Sequence, residues 1–339
     1  METGFYNGNG LNLSVVPVHD PFLDNFRTWY MFFPSRIKTR PISTLTMISV
    51  IICSINEAHK QRIFQNIQDT IGVPFEFLAI DNRLNPRGIC AVYNEGARKA
   101  KFECVCFVHE DVQFNTQEWG KSLVSIFKDQ TWGLVGLAGA AHKPKLPSGW
   151  GAEGLQDRFI KVNLVQHFKG SRPPSLQYQN TEKEKIAEVA CVDGVFLATT
   201  KSIIQEIPFD ESLLTGFHGY DLDLSLAIGQ QYKVGVTYEI LAEHFSEGSL
   251  NLDWLKSSLL VHEKWAENLP KTVAPISKKE KTICEKRTYR FLLPILKQNN
   301  ALKYGFKILH QGELIRLNVW TYLKMYISLG KTYLSKESV

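Results

Sequence analysis

The sequence predicts an α/β fold, a mostly parallel sheet flanked by helices, followed by a basic helical C-terminal appendage. Three observations carry this. Runs such as Ile48-Ser49-Val50-Ile51-Ile52 and Cys104-Val105-Cys106-Phe107-Val108 are nearly continuous β-formers, as strands buried on both faces of a parallel sheet should be. Helix-length segments separate such runs, and strand–helix–strand–helix–strand over residues 47–108 implies right-handed parallel crossovers. Charge is segregated as well. Residues 278–339 hold 13 Lys or Arg against 4 Asp or Glu, a balance of +9, so in a chain of net +5 the remainder carries −4.

In chain order, residues 1–46 contain Pro17, Pro21, Pro34 and Pro41 among many aromatics, with no sustained period, and read as an arm packed on the body. Met47–Cys53 is the first strand, and Ser54-Ile55-Asn56 turns into a helix near His59–Gln68. Phe75–Ile80 is the second strand, ending in Asp81-Asn82, and a loop with Pro86 and Gly88 leads to a helix around Ile89–Ala100. Cys104–Val108 is the third strand, Trp119–Lys128 a helix, and Gly133–Gly139 a further buried strand. Residues 142–185 are polar and rich in Pro and Gly, the character of a disordered segment or of a lid that orders over a ligand. Ala187–Thr199 reads as a strand broken at Asp193-Gly194, Asp221–Ile228 as a helix and Lys233–Val236 as a short strand. From about Ser277 the pattern is of basic helices interrupted by Pro294, Gly305, Gly312 and Gly330. The expected division is an arm over 1–46, an α/β domain over 47–275 and a basic helical region over 276–339.

Composition narrows the function classes. A hydrophobic fraction of 44% suffices for a sizeable core, and no run of about 18 apolar residues suggests a membrane span. The start, Met1-Glu2-Thr3-Gly4, lacks the basic segment and apolar run of a secretory signal, and the cysteines suit a cytoplasmic protein. The six cysteines are scattered, mostly in apolar runs, and read as reduced core residues; Cys104 and Cys106 have no second pair to complete a zinc site. No Gly-x-x-x-x-Gly-Lys-Ser/Thr phosphate loop occurs. The basic tail suits an anionic partner surface, but the positive charge avoids the segment bearing the chemistry, which argues against nucleic acid.

That chemistry centres on Phe107-Val108-His109-Glu110-Asp111-Val112, where an apolar strand ends in two adjacent carboxylates. Ligands of open α/β sheets bind beyond the carboxyl ends of the strands, and paired carboxylates there call for a proton or a divalent cation. The plain alternative is a strand-end turn with solvated acids. Asp221 and Asp223 open an amphipathic run; either could cap the helix, or one could be a general base toward an acceptor hydroxyl. His244, in Glu243-His244-Phe245-Ser246, could be a packed residue or a nitrogen ligand for a metal such as Mn²⁺. In Tyr93-Asn94-Glu95-Gly96, Asn94 could approach a ligand or simply pack.

Together, in this order, these elements resemble the family 2 glycosyltransferases of the GT-A, Rossmann-like fold. The resemblance is closest to a bacterial glycosyltransferase-like group related to a streptomycin-biosynthesis protein, and it spans about two-thirds of the chain, from Ile48 to about Trp265. It rests on the motifs above together with Asp193-Gly194-Val195-Phe196 and Gly219-Tyr220-Asp221-Leu222-Asp223-Leu224. It implies a metal-dependent, inverting hexosyl-type transfer from a nucleotide-diphosphate sugar, with Mn²⁺ or Mg²⁺ as cofactor. Cys53, Ser54, Asn56, Asp81, Asn94 and Glu110 would serve the nucleotide side, and Asp111 and His244 the metal. Asp221 would be the base, and Asp193, Gly194, His218 and Tyr220 would lie toward the acceptor. A glycan or lipid-linked acceptor, as in bacterial surface polysaccharide or glycoconjugate synthesis, would place the basic tail at the inner face of a membrane. A solvated helical cap is the alternative for that tail. The chain departs from the family pattern at Cys53, where many relatives have Pro, at His109-Glu110-Asp111, where paired aspartates are usual, and at Tyr220, where many have Glu. The departure at Tyr220 leaves Asp221 and Asp223 both open as the base. A non-catalytic nucleotide- or glycan-binding protein on the same fold is the alternative function, and a nucleotidyltransferase a more distant one.

Overall fold

The computed structural model describes residues 46–155, 158–248 and 250–334, so the N-terminal arm, apart from Thr46, lies outside the described residues. Strand β1 (Ile48–Ser54) is buried almost throughout, and Asn56 then caps α1 (Glu57–Thr70), its Oδ1 accepting the Ala58 and His59 N–H groups at 2.9 and 3.1 Å. β2 (Phe75–Asp81), α2 (Ile89–Lys99) and β3 (Cys104–Val108) complete two crossovers, with β2 and β3 both parallel to β1. Helix α2 lies so close to the sheet that a Cβ on Gly96 would fall 2.4 Å from Ile51 Cγ2.

The chain continues through β4 (Val112–Phe114), α3 (Trp119–Phe127), β5 (Trp132–Gly136), β6 (Ala138–Ala140) and β7 (His142–Lys143). The single strand expected over Gly133–Gly139 is thus two, which serve different sheets. Next come β8 (Ile160–Gln166), β9 (Ser175–Gln179), β10 (Ile186–Val189), β11 (Cys191–Val192) and β12 (Phe196–Thr200). The segment expected to be disordered or a lid therefore contributes strands to a sheet. Its strand signal is masked because Lys161 and Asn163 in β8 are buried polar residues, Asn163 donating to the Ile240 carbonyl at 2.8 Å. α4 (Lys201–Glu206), α5 (Tyr220–Ile228), β13 (Lys233–Thr237), β14 (Ala242–His244), α6 (Leu252–Lys264) and β15 (Lys271–Thr272) finish the α/β body.

The main sheet has seven strands in the order β10-β13-β5-β12-β3-β1-β2. Only β10 and β12 run against the others, so the sheet is mostly parallel, as expected. A second sheet, β11-β6-β8-β14-β4 with β9 on the edge of β8, stands beside it. The principal core joins β1 and β3 to α1 and α3 through Ile48, Val50, Ile63, Ile67 and Trp119, with Phe114 stacked on Trp119 at 4.3 Å.

The C-terminal region is helical: α7 (Lys278–Gln298), α8 (Tyr304–Gln311), α9 (Leu314–Leu317) and α10 (Val319–Leu334). Of the four expected interruptions only Gly312 ends a helix; Pro294, Gly305 and Gly330 lie inside helices. Packing overrides propensity there, since Leu292, Ile295 and Leu296 on either side of Pro294 are buried in a cluster with Leu309, Met325 and Leu329.

Candidate active site

Parallel β1 and β3 end side by side, and the residues beyond their carboxyl ends converge. The chain leaves β3 through His109-Glu110-Asp111 and enters β4, which pairs antiparallel with β14, His244 opposite Val112. The Phe245 N–H donates to the Asp111 carbonyl at 3.0 Å, locking the two segments together. As a result His244 Nε2 stands 3.7 Å from Asp111 Oδ1. His109 joins them: His109, Asp111 and His244 each offer a ligand atom, all within 4.8 Å of one another. Asp111 and His244 were expected to meet. His109 was not among the expected donors; the turn at Glu110-Asp111 between β3 and β4 brings it beside them.

Glu110 turns the other way. Its Oε2 accepts the Ile55 and Asn56 N–H groups at 3.0 and 3.1 Å and so holds the turn between β1 and α1. Ser54 is buried, and its carbonyl accepts the Asn82 N–H at 2.8 Å. Burial pushes the neighbouring Cys53 thiol up to about 11, so it is neutral at physiological pH. Asp81 is exposed at the end of β2, where hydrogen bonds from Arg83 hold its carboxyl well below the usual range. Asn94 is buried, and the protein itself uses its amide. Nδ2 donates to the Phe209 carbonyl at 2.9 Å, and Oδ1 accepts the Phe209 N–H at 3.1 Å.

Across from the cluster, α5 begins after Gly219, whose φ of 83° suits glycine. The side chain of Tyr220 points inward, its hydroxyl 3.1 Å from the Gly194 carbonyl and 2.7 Å from His109 Nε2. Gly194 has to be glycine, because a Cβ there would fall 2.1 Å from the Tyr220 hydroxyl. The Gly194 N–H donates to Asp221 Oδ2 at 3.1 Å. Burial, reinforced by the charge of Asp193, raises the Asp221 carboxyl to about 7. The Asp193 carboxylate accepts the Val195 N–H at 2.9 Å and steadies the same turn. His218 is half-buried in the loop before α5, its ring beside Phe217.

Asp223 belongs elsewhere. It is 2% exposed, paired with Lys264 at 2.8 Å and accepting the Trp265 indole N–H at 2.7 Å, so it fastens α5 to α6. Of the two aspartates left open by the sequence, Asp221 alone shares a backbone unit with the residues around His109.

The donor set fits a divalent metal: two imidazoles and a carboxylate offer the mixed nitrogen and oxygen atoms that such a cation takes.

Comparison with known proteins places these observations. The family described as "Glycosyltransferase like family" matches residues 49–252. No curated protein sequence matches. Among solved structures the chain is similar to TarS residues 1–349 of S. aureus, with 12% identity, a TM-score of 0.47, and 86% of this chain and 92% of that one covered. It is similar to GalNAc-T7, crystallised with UDP, GalNAc and Mn²⁺, with 13% identity and a TM-score of 0.45. That match covers 77% of this chain but only 55% of GalNAc-T7, so the chain spans little over half of that protein. A197 from STIV is similar at 13% identity and a TM-score of 0.35, over 59% of this chain and 86% of that one.

Proposed function

The chain belongs to the glycosyltransferase-like family, and from that premise we propose that it moves a sugar from a nucleotide-diphosphate donor to an acceptor hydroxyl by a metal-dependent, inverting route. The observation that carries this is the connection of Asp221, through Gly194 and Tyr220, to a cluster of three metal-competent side chains. It joins a base to a charge-neutralising site, the two things a sugar transfer needs.

His109, Asp111 and His244 would hold the cation, and the Cys53–Asn56 turn and Asp81 would border the nucleotide. When bound, the cation supplies positive charge against the leaving diphosphate. Asp221 takes the proton of the acceptor hydroxyl as that oxygen attacks the anomeric carbon and the diphosphate leaves. The Gly194 N–H orients the Asp221 carboxylate, and burial, with the charge of Asp193 beside it, keeps its proton affinity high enough for that task. Residues 47–275 carry this chemistry.

Residues 276–339 serve a second purpose in this reading. Among the described residues no helix is long and apolar enough to cross a membrane. The basic region instead rests on an anionic membrane face, where a lipid-linked glycan acceptor of surface polysaccharide or glycoconjugate synthesis would be presented.

Thermal unfolding with UDP, GDP, CDP or dTDP, each with and without Mn²⁺, tests the donor site. A nucleotide at 100 times its dissociation constant adds about 2.7 kcal/mol. The expected result is a rise in Tm with one nucleotide that needs Mn²⁺ and is lost in Asp111→Ala. Absence of any shift points instead to a protein that binds no nucleotide at this site.

A further inference from the structure

Each imidazole of the cluster has one nitrogen against a partner whose role is fixed, Gln166 for His244 and Tyr220 for His109, and that partner dictates where the proton sits. Gln166, the last residue of β8, lies opposite His244 in the parallel β8–β14 pair. Its Nε2 faces carbonyls, donating to His167 at 2.6 Å and Ser246 at 2.8 Å, with that of His244 at 3.5 Å. An amide oxygen in that place would meet only acceptors, so the orientation of Gln166 is determined. Its Oε1 is then the atom 3.2 Å from His244 Nδ1. Because an amide oxygen only accepts, Nδ1 carries the proton and Nε2 is bare. That bare nitrogen is the one 3.7 Å from Asp111 Oδ1, and the Ser246 hydroxyl, 3.3 Å away, is free to donate to it.

The same logic applies to His109. The Tyr220 hydroxyl has one proton and two neighbours, the Gly194 carbonyl at 3.1 Å and His109 Nε2 at 2.7 Å. The carbonyl can only accept. If the hydroxyl donated to His109, the Gly194 oxygen would face the lone pairs of the tyrosine without a proton between them. The tyrosine proton therefore goes to Gly194, and its oxygen accepts from His109 Nε2. His109 Nδ1 is left bare. Tyr220 is held in this position by Tyr93, Phe209 and Phe217, whose ring centres lie 5.8, 6.1 and 6.2 Å from its own.

We propose that Gln166 and Tyr220 are positioning residues that set the tautomers of the two histidines, so that His244 offers Nε2 and His109 offers Nδ1 to a divalent cation beside Asp111. This rests on the cation reading above and adds how the two nitrogen donors are prepared before the cation arrives. A histidine held in the right tautomer needs neither a proton shift nor a ring turn on binding, which is why partners of ligating imidazoles govern affinity. Tyr220 has a further effect. The Gly194 peptide it grips by the carbonyl is the residue whose N–H holds Asp221, so the His109 donor and the base are referred to one backbone unit.

The experiment uses the full chain without nucleotide. Long-range ¹H–¹⁵N spectra of the metal-free protein read the tautomers directly, and Mn²⁺ titration followed by electron paramagnetic resonance reads affinity. Tyr220→Phe keeps the ring and loses the hydroxyl; Gln166→Ala removes the other partner at a site on a different strand, should the first variant fold poorly. The expected wild-type spectrum has His109 protonated at Nε2 and His244 at Nδ1. Each variant releases its own histidine to a mixture of tautomers and weakens Mn²⁺ about 10- to 100-fold. His109 found protonated at Nδ1, or variants with unchanged tautomers and Mn²⁺ affinity, would overturn the proposal. Correct tautomers that respond to the variants in a wild type that takes up no Mn²⁺ would uphold the positioning roles and remove the cation reading alone.

Discussion

Asp221 and Asp223 are two residues apart, and their environments give them opposite properties. Asp221 faces the candidate site with its carboxyl raised to about 7 by burial and Asp193. As a base it must be unprotonated, so kcat/KM should rise about tenfold per pH unit below 7 and level off above it. A raised carboxyl also has a stability consequence of fixed sign. The folded state holds a proton that the unfolded chain has released, so stability falls as pH climbs from the ordinary carboxylate range to about 7. Asp221→Asn should therefore lose transfer by about 10²–10⁴-fold, keep nucleotide affinity, and unfold at a higher temperature than wild type above pH 7. Parallel kinetics, nucleotide titration and thermal melts check the three together. Equal losses of nucleotide affinity and turnover would remove Asp221 from the base role.

At the scale of elements, Asp223 is part of the frame. Its pairing with Lys264 and the Trp265 indole ties the first turn of α5 to the end of α6, and α5 is what aims Tyr220 and Asp221. Removing one partner of a buried ion pair costs about 3–5 kcal/mol; here Lys264 keeps Asp210 at 2.9 Å, which places Asp223→Ala at about 3 kcal/mol. Urea unfolding should show a lower midpoint with an unchanged slope. The elements also explain what the sequence disclosed. The β1–α1–β2–α2–β3 segment was legible because β1 and β3 are buried and read as nearly continuous apolar runs, and β2, though only partly buried, is still rich in Phe, Leu and Ile. The second sheet was not, since β4 and β14 are three residues each and β8 hides buried Lys161 and Asn163. The motifs bring Asp111, His244 and Asp221 forward as candidates, and the structure draws Asp111 and His244 together. His109 could not be brought forward in this way, because its partner Tyr220 lies 111 positions away and only the fold brings two of the three departures from the family pattern into one hydrogen bond. The choice between Asp221 and Asp223 likewise needed Lys264 and Gly194 in place.

For the whole molecule, the segregated charge acquires a direction from α10. Met325 and Leu329 of this helix face the C-terminal cluster, whereas Val319, Trp320, Leu323, Tyr326 and Ile327 are exposed, Trp320 at 72% and Ile327 at 56%. At 100° per residue these five fall on one arc, with Lys324 and Lys331 along one border. Residues 314–334 contain no Asp or Glu. If the basic region rests on an anionic membrane as proposed, this apolar strip carrying Trp and Tyr, bordered by lysines and free of acids, is the face that would enter it, a helix of 16 residues lying flat over about 24 Å. It is too short to span, for which about 20 residues are needed. Flotation with phosphatidylglycerol vesicles should carry the protein upward at low salt, and less so as salt screens the lysines. Phosphatidylcholine vesicles should carry little. Trp320→Glu combined with Ile327→Glu should abolish flotation while leaving Tm and the nucleotide-dependent shift in place, since both side chains point away from the core. A wild type that ignores anionic vesicles but elutes as a dimer, with the double variant a monomer, would make this strip a contact between copies of the chain. In that event the +9 of the tail would be a solvated helical face, and acceptor delivery would have to be sought near Asp193 and Asp221 instead.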